Sequence, residues 1–294
     1  MVDVIDKSIT TSDSVLLKAT WYLPISEPRR VVLINSATGA LRSLYRSFSM
    51  WLAQENVAVL TYDNRGIGES CTPAILRDRE LSFVDWGAID YAAMIAEAKS
   101  RFPQVALTVL GHSIGGMILG FTPDAPVERI VTLGAQTSFW RDWRLSSLPL
   151  FLFQWGVVMP LTTRVLGYFP GSKLGYPCDL PAGIARQWVQ GSFFLPCFTE
   201  RRGGRPQLTR DGMPWKNLFT RVKTPIYAIS MQDDPIGTAR AVDRAVQHFS
   251  TAPVTRIHWS PAQFGLKQIG HFGFARRKAS NQLWPALLDL LAPP

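Results

Sequence analysis

Residues 105–121 read VALTVLGHSIGGMILGF, and this stretch decides the fold. The apolar run Val105–Leu110 is broken by Gly111 and predicts a buried strand. Gly111-His112-Ser113-Ile114-Gly115-Gly116 follows at once, and the apolar MILGF after it predicts a helix. A serine held in a G-x-S-x-G turn between strand and helix needs small neighbours and a strained backbone. That geometry pushes Oγ out of the sheet and leaves the next amide free at a helix N-terminus. Ser113 is therefore the candidate nucleophile and Ile114 the first candidate oxyanion donor. Phosphate binding fits poorly, because the run is not GxGxxG and lacks the Walker lysine.

Outward from this turn, short β-rich runs alternate with helical patterns. Residues 2–23 lack a helical stretch, turn at Thr11-Ser12-Asp13 and read as an antiparallel hairpin. Arg30–Asn35, Val57–Tyr62, Val105–Leu110, Arg129–Leu133, Pro225–Ser230 and Val254–Trp259 bring the candidate strands to eight. Helical patterns cover Leu41–Gln54 and Thr238–His248. Another starts at a capping-box-like Ser82-x-x-Asp85, and the last opens near Trp284-Pro285. Such alternation predicts an α/β fold with an eight-stranded, mostly parallel sheet flanked by helices. It stops between Gln136 and Thr224, where Trp, Phe and Pro are abundant. The expected organisation is a core of residues 1–135 and 225–294, with 136–224 as an insertion over one edge of the sheet.

A serine nucleophile needs a base and a group that orients the base. Of four histidines, His112 lies in the turn, His248 at a helix end and His258 in a strand. His271 alone sits in a Gly-flanked loop (QIGHFG) after the last strand, where this architecture presents catalytic groups, so it is the candidate base. The strand PIYAIS ends at Met231-Gln232-Asp233-Asp234-Pro235. Its spacing and the following proline favour Asp234 as the acid; Asp233 stays open, and Asp142 is the fallback. The second oxyanion donor is expected in the small-residue loop Asn35-Ser36-Ala37-Thr38-Gly39, with Ala37 first and Thr38 next.

Ten Trp, 16 Phe and 47% hydrophobic residues supply a sizeable core and exclude disorder. The formal charge of +9 could serve nucleic acid or an anionic surface. The basic residues are dispersed, however, apart from Arg201/Arg202/Arg205 and Arg276/Arg277/Lys278, so no nucleic-acid partner is expected. Cys71, Cys178 and Cys197 show no metal-ligand spacing and read as free thiols; neither metal nor cofactor is expected. MVDVIDKSITTSD lacks the features of a signal peptide, which predicts a cytoplasmic protein. The apolar Leu148–Leu161 is short for a span and contains two prolines, so it reads as a buried or groove-lining helix; contact with a membrane surface stays open as the lesser reading.

Asp63-x-Arg65-Gly66-x-Gly68-x-Ser70, with Gly111–Gly115, Asp234 and His271, resembles the α/β-hydrolase superfamily. The pieces AQTSFWRDW, LGYFPG, DLPAGIARQW and IGHFGF resemble a bacterial branch of predicted hydrolases, similar to monoacylglycerol-lipase and serine-aminopeptidase-like proteins. The resemblance implies the triad Ser113, Asp234 and His271, and a helical cap after strand six. The family's His-Gly in the oxyanion loop is replaced by Asn35-Ser36. The expected activity is that of a serine hydrolase, of the carboxylesterase or lipase type. It would act through an acyl-enzyme on a small-molecule carboxylic ester, or a thioester or amide, with a hydrophobic group. Trp140, Trp143, Phe151, Phe153, Trp155 and Phe169 are candidates to line its pocket. An acyltransferase on the same triad and a non-catalytic binding protein are the alternatives.

Overall fold

The computed structural model describes residues 2–193, 200–201, 205–206, 212–279 and 281–292. Its main sheet comprises β1 (Asp3–Thr10), β2 (Leu16–Leu23), β3 (Arg30–Asn35), β4 (Val57–Tyr62), β5 (Leu107–His112), β6 (Arg129–Leu133), β7 (Ile226–Met231) and β8 (Val254–Trp259). Their order is β1-β2-β4-β3-β5-β6-β7-β8. β2 is antiparallel to both its neighbours and every other pairing is parallel, so a single strand runs against the rest.

Alternate residues of the central strands feed two cores. Val31, Leu33 and Val109 face one side, and Val32, Ile34 and Leu110 the other. Strands apolar on both faces must be covered on both. On the second side lie α1 (Arg46–Gln54) and the C-terminal helix Leu283–Leu291, where Phe48 meets Trp284 at a ring separation of 5.4 Å. On the first lies α2 (Ala92–Arg101), preceded without a break by Phe83–Tyr91. Its start is the predicted capping box, with Asp85 Oδ2 accepting from the Ser82 backbone N–H at 2.8 Å.

Two strand limits move from their sequence expectation. β5 begins two residues later and carries Gly111 and His112 into the ladder, His112 standing opposite Leu133. β7 begins after Pro225, which has no N–H to donate but accepts from Ile130 N–H through its carbonyl. The chain crosses from β3 to β4 on one side and then to β5 on the other, so the strand order reverses beside β3. In open α/β sheets a crevice opens at that point, at the carboxyl ends of the strands.

Between β6 and β7 lie a 22-residue helix, α3 (Leu145–Leu166), and α4 (Ala182–Phe193). α3 opens with a 3₁₀ turn, runs on through α, π and α turns and stops at Gly167, whose φ of 78° suits a left-handed cap. It is longer than the predicted segment and is not a buried helix, since only 11% of its most apolar window is covered. Cys71 and Cys178 are free and half-buried. Cys197, Arg202 and the side chains of Arg201 and Arg205 lie outside the described residues.

Candidate active site

The DxRGxGxS turn serves the scaffold. Arg65 donates from Nε to Asp90 Oδ1 at 2.6 Å and from Nη1 to Asp13 Oδ2 at 2.6 Å, tying the β1–β2 turn to the Phe83–Tyr91 helix. Ser70 Oγ donates to the Asp63 carbonyl at 2.8 Å and accepts from Lys18 N–H at 2.8 Å.

Ser113 follows β5 with φ of 56°, one of four non-glycine residues in the left-handed region among the described residues. That is the strained backbone a G-x-S-x-G turn imposes on its serine. The turn is packed too tightly for side chains beside it: a Cβ on Gly115 would lie 2.2 Å from the Asn35 carbonyl oxygen. The predicted helix after the turn is instead two 3₁₀ turns, Ser113–Gly116 and Ile118–Phe121. Ile114 N–H stands in the first of them, among amides that have no acceptor within a helix's opening turn.

His271 and Asp234 meet at the neighbouring strand ends, with Nδ1 2.6 Å from Oδ2. Asp234 is buried, and its Oδ1 accepts from Ile236 N–H at 2.9 Å and Gly237 N–H at 2.8 Å. Burial alone would raise its carboxyl; the His271 imidazole and the two amides outweigh that and hold it below the ordinary carboxylate range. The backbone after β6 passes close by, since a Cβ on Gly134 would lie 2.9 Å from Asp234 Oδ2 and 3.2 Å from His271 Nδ1.

Asp233, left open as the acid, does not reach His271 through its carboxylate and has a different role. Its Oδ2 accepts from Ile269 N–H at 2.8 Å and Gly270 N–H at 2.9 Å, which anchors the loop just before His271. The fallback Asp142 is buried and lies 3.0 Å from Arg240 Nε and 3.1 Å from Arg244 Nη2, so it docks the helix α5 (Ala239–Val246).

His112, within the turn itself, supports the loop that carries His271. Its Nε2–H donates to the His271 carbonyl at 2.9 Å, which makes Nδ1 the acceptor from the Tyr45 hydroxyl at 2.8 Å. Burial, and then the nearby His271 charge, push His112 down to about 3, so it stays neutral. Tyr45 Oη in turn accepts from Ala37 N–H at 3.1 Å. The amide expected to face an oxyanion is thus engaged by a phenol, and one buried chain links the loop after β3 to the loop that carries His271. Asn35 donates from Nδ2 to the Gly115 carbonyl at 3.3 Å and accepts from Tyr62 Oη at 2.9 Å. His258 accepts from or donates to Ser230 Oγ at 2.9 Å as a structural residue, and His248 is half-buried rather than exposed.

Gln136 is a site residue that sequence reasoning missed. It is buried just after β6, and its Nε2 donates to Ser113 Oγ at 3.3 Å while Oε1 accepts from Ser138 N–H. Ser138 Oγ accepts from Trp188 Nε1 on α4 at 2.7 Å, so α4 is connected to Ser113 through Ser138, by its hydroxyl and its backbone N–H, and the Gln136 side chain. No hydrogen bond joins Ser113 Oγ to His271 in this structure; such bonds commonly tighten only when substrate is bound. Polar residues in loops after strands carry no periodicity, so no signal in the sequence marked Gln136.

Most of the aromatic residues expected in a pocket pack on one another instead. Trp155 is buried against Trp143, Phe151 and Trp188, Phe169 is buried against Tyr176, and Phe153 faces outward.

Residues 26–156 match the family Hydrolase_4, described as serine aminopeptidase, S33. A stretch of 100 residues is 24% identical to protein phosphatase methylesterase 1 of Candida albicans; it covers 34% of this chain and 26% of that protein. A thermostable carboxyl esterase from Bacillus coagulans superposes with a TM-score of 0.65 at 15% identity, over 98% of both chains. An esterase of Pyrococcus furiosus superposes with a TM-score of 0.60 at 16% identity, over 99% of this chain and 91% of that one. The strand order, the turn at Ser113 and these structural likenesses together show that the chain has the α/β-hydrolase fold.

Proposed function

We propose that this protein hydrolyses carboxylic esters bearing a hydrophobic group, through an acyl-enzyme on Ser113. The observation that carries this reading is a left-handed serine at the end of β5 flanked by the 2.6 Å His271–Asp234 pair. In this mechanism Oγ leaves Gln136, turns to His271 Nε2 and attacks the ester carbonyl as Nε2 takes its proton. Asp234 keeps the other imidazole proton on Nδ1 and offsets the positive charge that forms. Ile114 N–H receives the oxyanion. Ala37 N–H joins it only by leaving Tyr45, and Thr38 N–H is the other candidate. His271 returns the proton to the departing alcohol, and water then cleaves the acyl-serine with the same base.

The described residues between β6 and α4 act as a cap over the acyl side of the site, in contact with the nucleophile through Trp188, Ser138 and Gln136. The esterase names of the structural neighbours support an ester as substrate, while the peptidase family match keeps amides in the test. That test is a panel of esters, thioesters and amides, with fluorophosphonate labelling, on wild type and Ser113→Ala. Loss of both turnover and labelling in a folded variant is expected. Labelling that persists would assign the chemistry to another serine, and acyl transfer to added alcohols in preference to water would replace hydrolysis by acyl transfer.

A further inference from the structure

α3 presents a large uncovered apolar face. Its most apolar 18-residue window has a mean hydropathy of 1.4. At about 100° per residue, Trp155, Met159 and Thr163 fall on one side of the helix and are buried. Leu150, Phe153, Val157, Leu161 and Val165 fall on the opposite side and are 48–72% exposed. A contiguous apolar stripe of this kind on a soluble fold marks a contact surface. Because one side of α3 is seated on the domain, the helix is built to lie on a surface rather than to cross a bilayer.

Beside that stripe, a cavity of about 290 Å³ opens between the C-terminal half of α3 and α4. Arg79, Arg164 and Arg186 line it around apolar walls that include Pro160, Ala185 and Val189. Among the described residues none of the three guanidiniums is paired with a carboxylate. Asp78, next to Arg79 in sequence, gives its carboxylate to the amides of Glu80 and Leu81. α3 itself contains no Asp or Glu.

We propose that this face docks on an anionic phospholipid bilayer, with a headgroup phosphate among Arg79, Arg164 and Arg186 and the α3 stripe in the acyl boundary. Charge complementarity selects this occupant. Three unpaired cations around apolar walls call for an anion attached to an apolar body. A second copy of the chain fits less well. Isologous pairing across α3 would bring the same basic groups together with no carboxylate on the helix to offset them, on a protein of formal charge +9. The proposal is independent of which residues perform catalysis.

The experiment is co-sedimentation of the full chain with vesicles of phosphatidylcholine and of an equal mixture with phosphatidylglycerol. Binding to the mixed vesicles alone is expected, and it should fall as salt rises. The triple substitution Arg79→Gln/Arg164→Gln/Arg186→Gln should weaken binding about a hundredfold, at about fivefold per arginine. Val157→Ser/Leu161→Ser should also weaken it. Both variants should hydrolyse a soluble short-chain ester as wild type does, which keeps a docking defect separate from a failure of the catalytic reading. Equal binding to both kinds of vesicle, no binding, or wild-type binding by the triple variant would overturn the proposal. A wild-type dimer that Val157→Ser/Leu161→Ser splits, with no vesicle binding, would assign the face to a second copy instead.

Discussion

Replacing Asp234 by asparagine should destroy catalysis while leaving the fold in place, and the hydrogen bonds give the reason. At Asp234, Oδ1 accepts two backbone amides, Ile236 at 2.9 Å and Gly237 at 2.8 Å, while Oδ2 faces His271 Nδ1 at 2.6 Å. An asparagine has a single acceptor oxygen, and the two amides claim it. Its NH2 then turns to His271 and can only donate, so Nδ1 becomes an acceptor and the imidazole proton moves to Nε2. That atom must be free to take the Ser113 proton. Trapping the wrong tautomer in a triad costs on the order of 10⁴ in turnover, or about 5 kcal/mol at about 1.4 kcal/mol per decade.

The neighbouring Asp233→Asn is the control. Its Oδ2 accepts from Ile269 and Gly270, and its Oδ1 is buried without a partner. An asparagine oxygen can hold the same two amides while its NH2 takes the unpartnered side. The loss should be under about tenfold in kcat and about 1 kcal/mol of stability, as charge-assisted bonds become neutral. The assay is kcat on a soluble ester for both variants, with thermal unfolding to verify folding. A collapse in Asp233→Asn with Asp234→Asn near wild type would refute the argument and move the acid to the first aspartate.

Three further outcomes are expected. His112 is held down to about 3 and His248 to about 4, mainly by burial, so below about pH 6.5 the unfolded chain binds protons that the folded chain refuses. Stability should therefore fall as pH drops from near 6.5 toward those values, with the depressed Asp234 adding a further loss only below its ordinary range near 3.8; urea unfolding at a series of pH values reads this, and a flat profile in wild type would contradict it. Gly115→Ala should abolish activity and lower the yield of folded protein, because its Cβ would lie 2.2 Å from a backbone oxygen of β3; a fully active, stable variant would show that the turn is looser than described. Trp155→Ala should cost about 3–5 kcal/mol as a buried aromatic is removed, measured by thermal unfolding, and a change in ester preference without loss of stability would mean that Trp155 lines the pocket after all.

The order of elements was legible in the sequence because local chemistry writes it. Short continuous apolar runs announced the parallel strands, and the G-x-S-x-G pattern marked the turn at Ser113 wherever the rest of the chain might lie. The Ser82–Asp85 box and Pro225 likewise act within a few residues of themselves. His271 emerged because glycines flank it and few histidines compete. What the sequence left open depended on direction and distance. Asp233 and Asp234 are adjacent and chemically identical, and the tertiary structure alone separates them: one carboxylate reaches His271, the other the amides two and one residues before it. Gln136, Tyr45 and His112 joined the site through contacts across 23, 8, 67 and 159 positions, which no local pattern can carry. The same holds for α3. Its apolar composition is visible in one dimension, but burial is a property of what packs against a helix, and only the folded chain decided that most of this face stays outside.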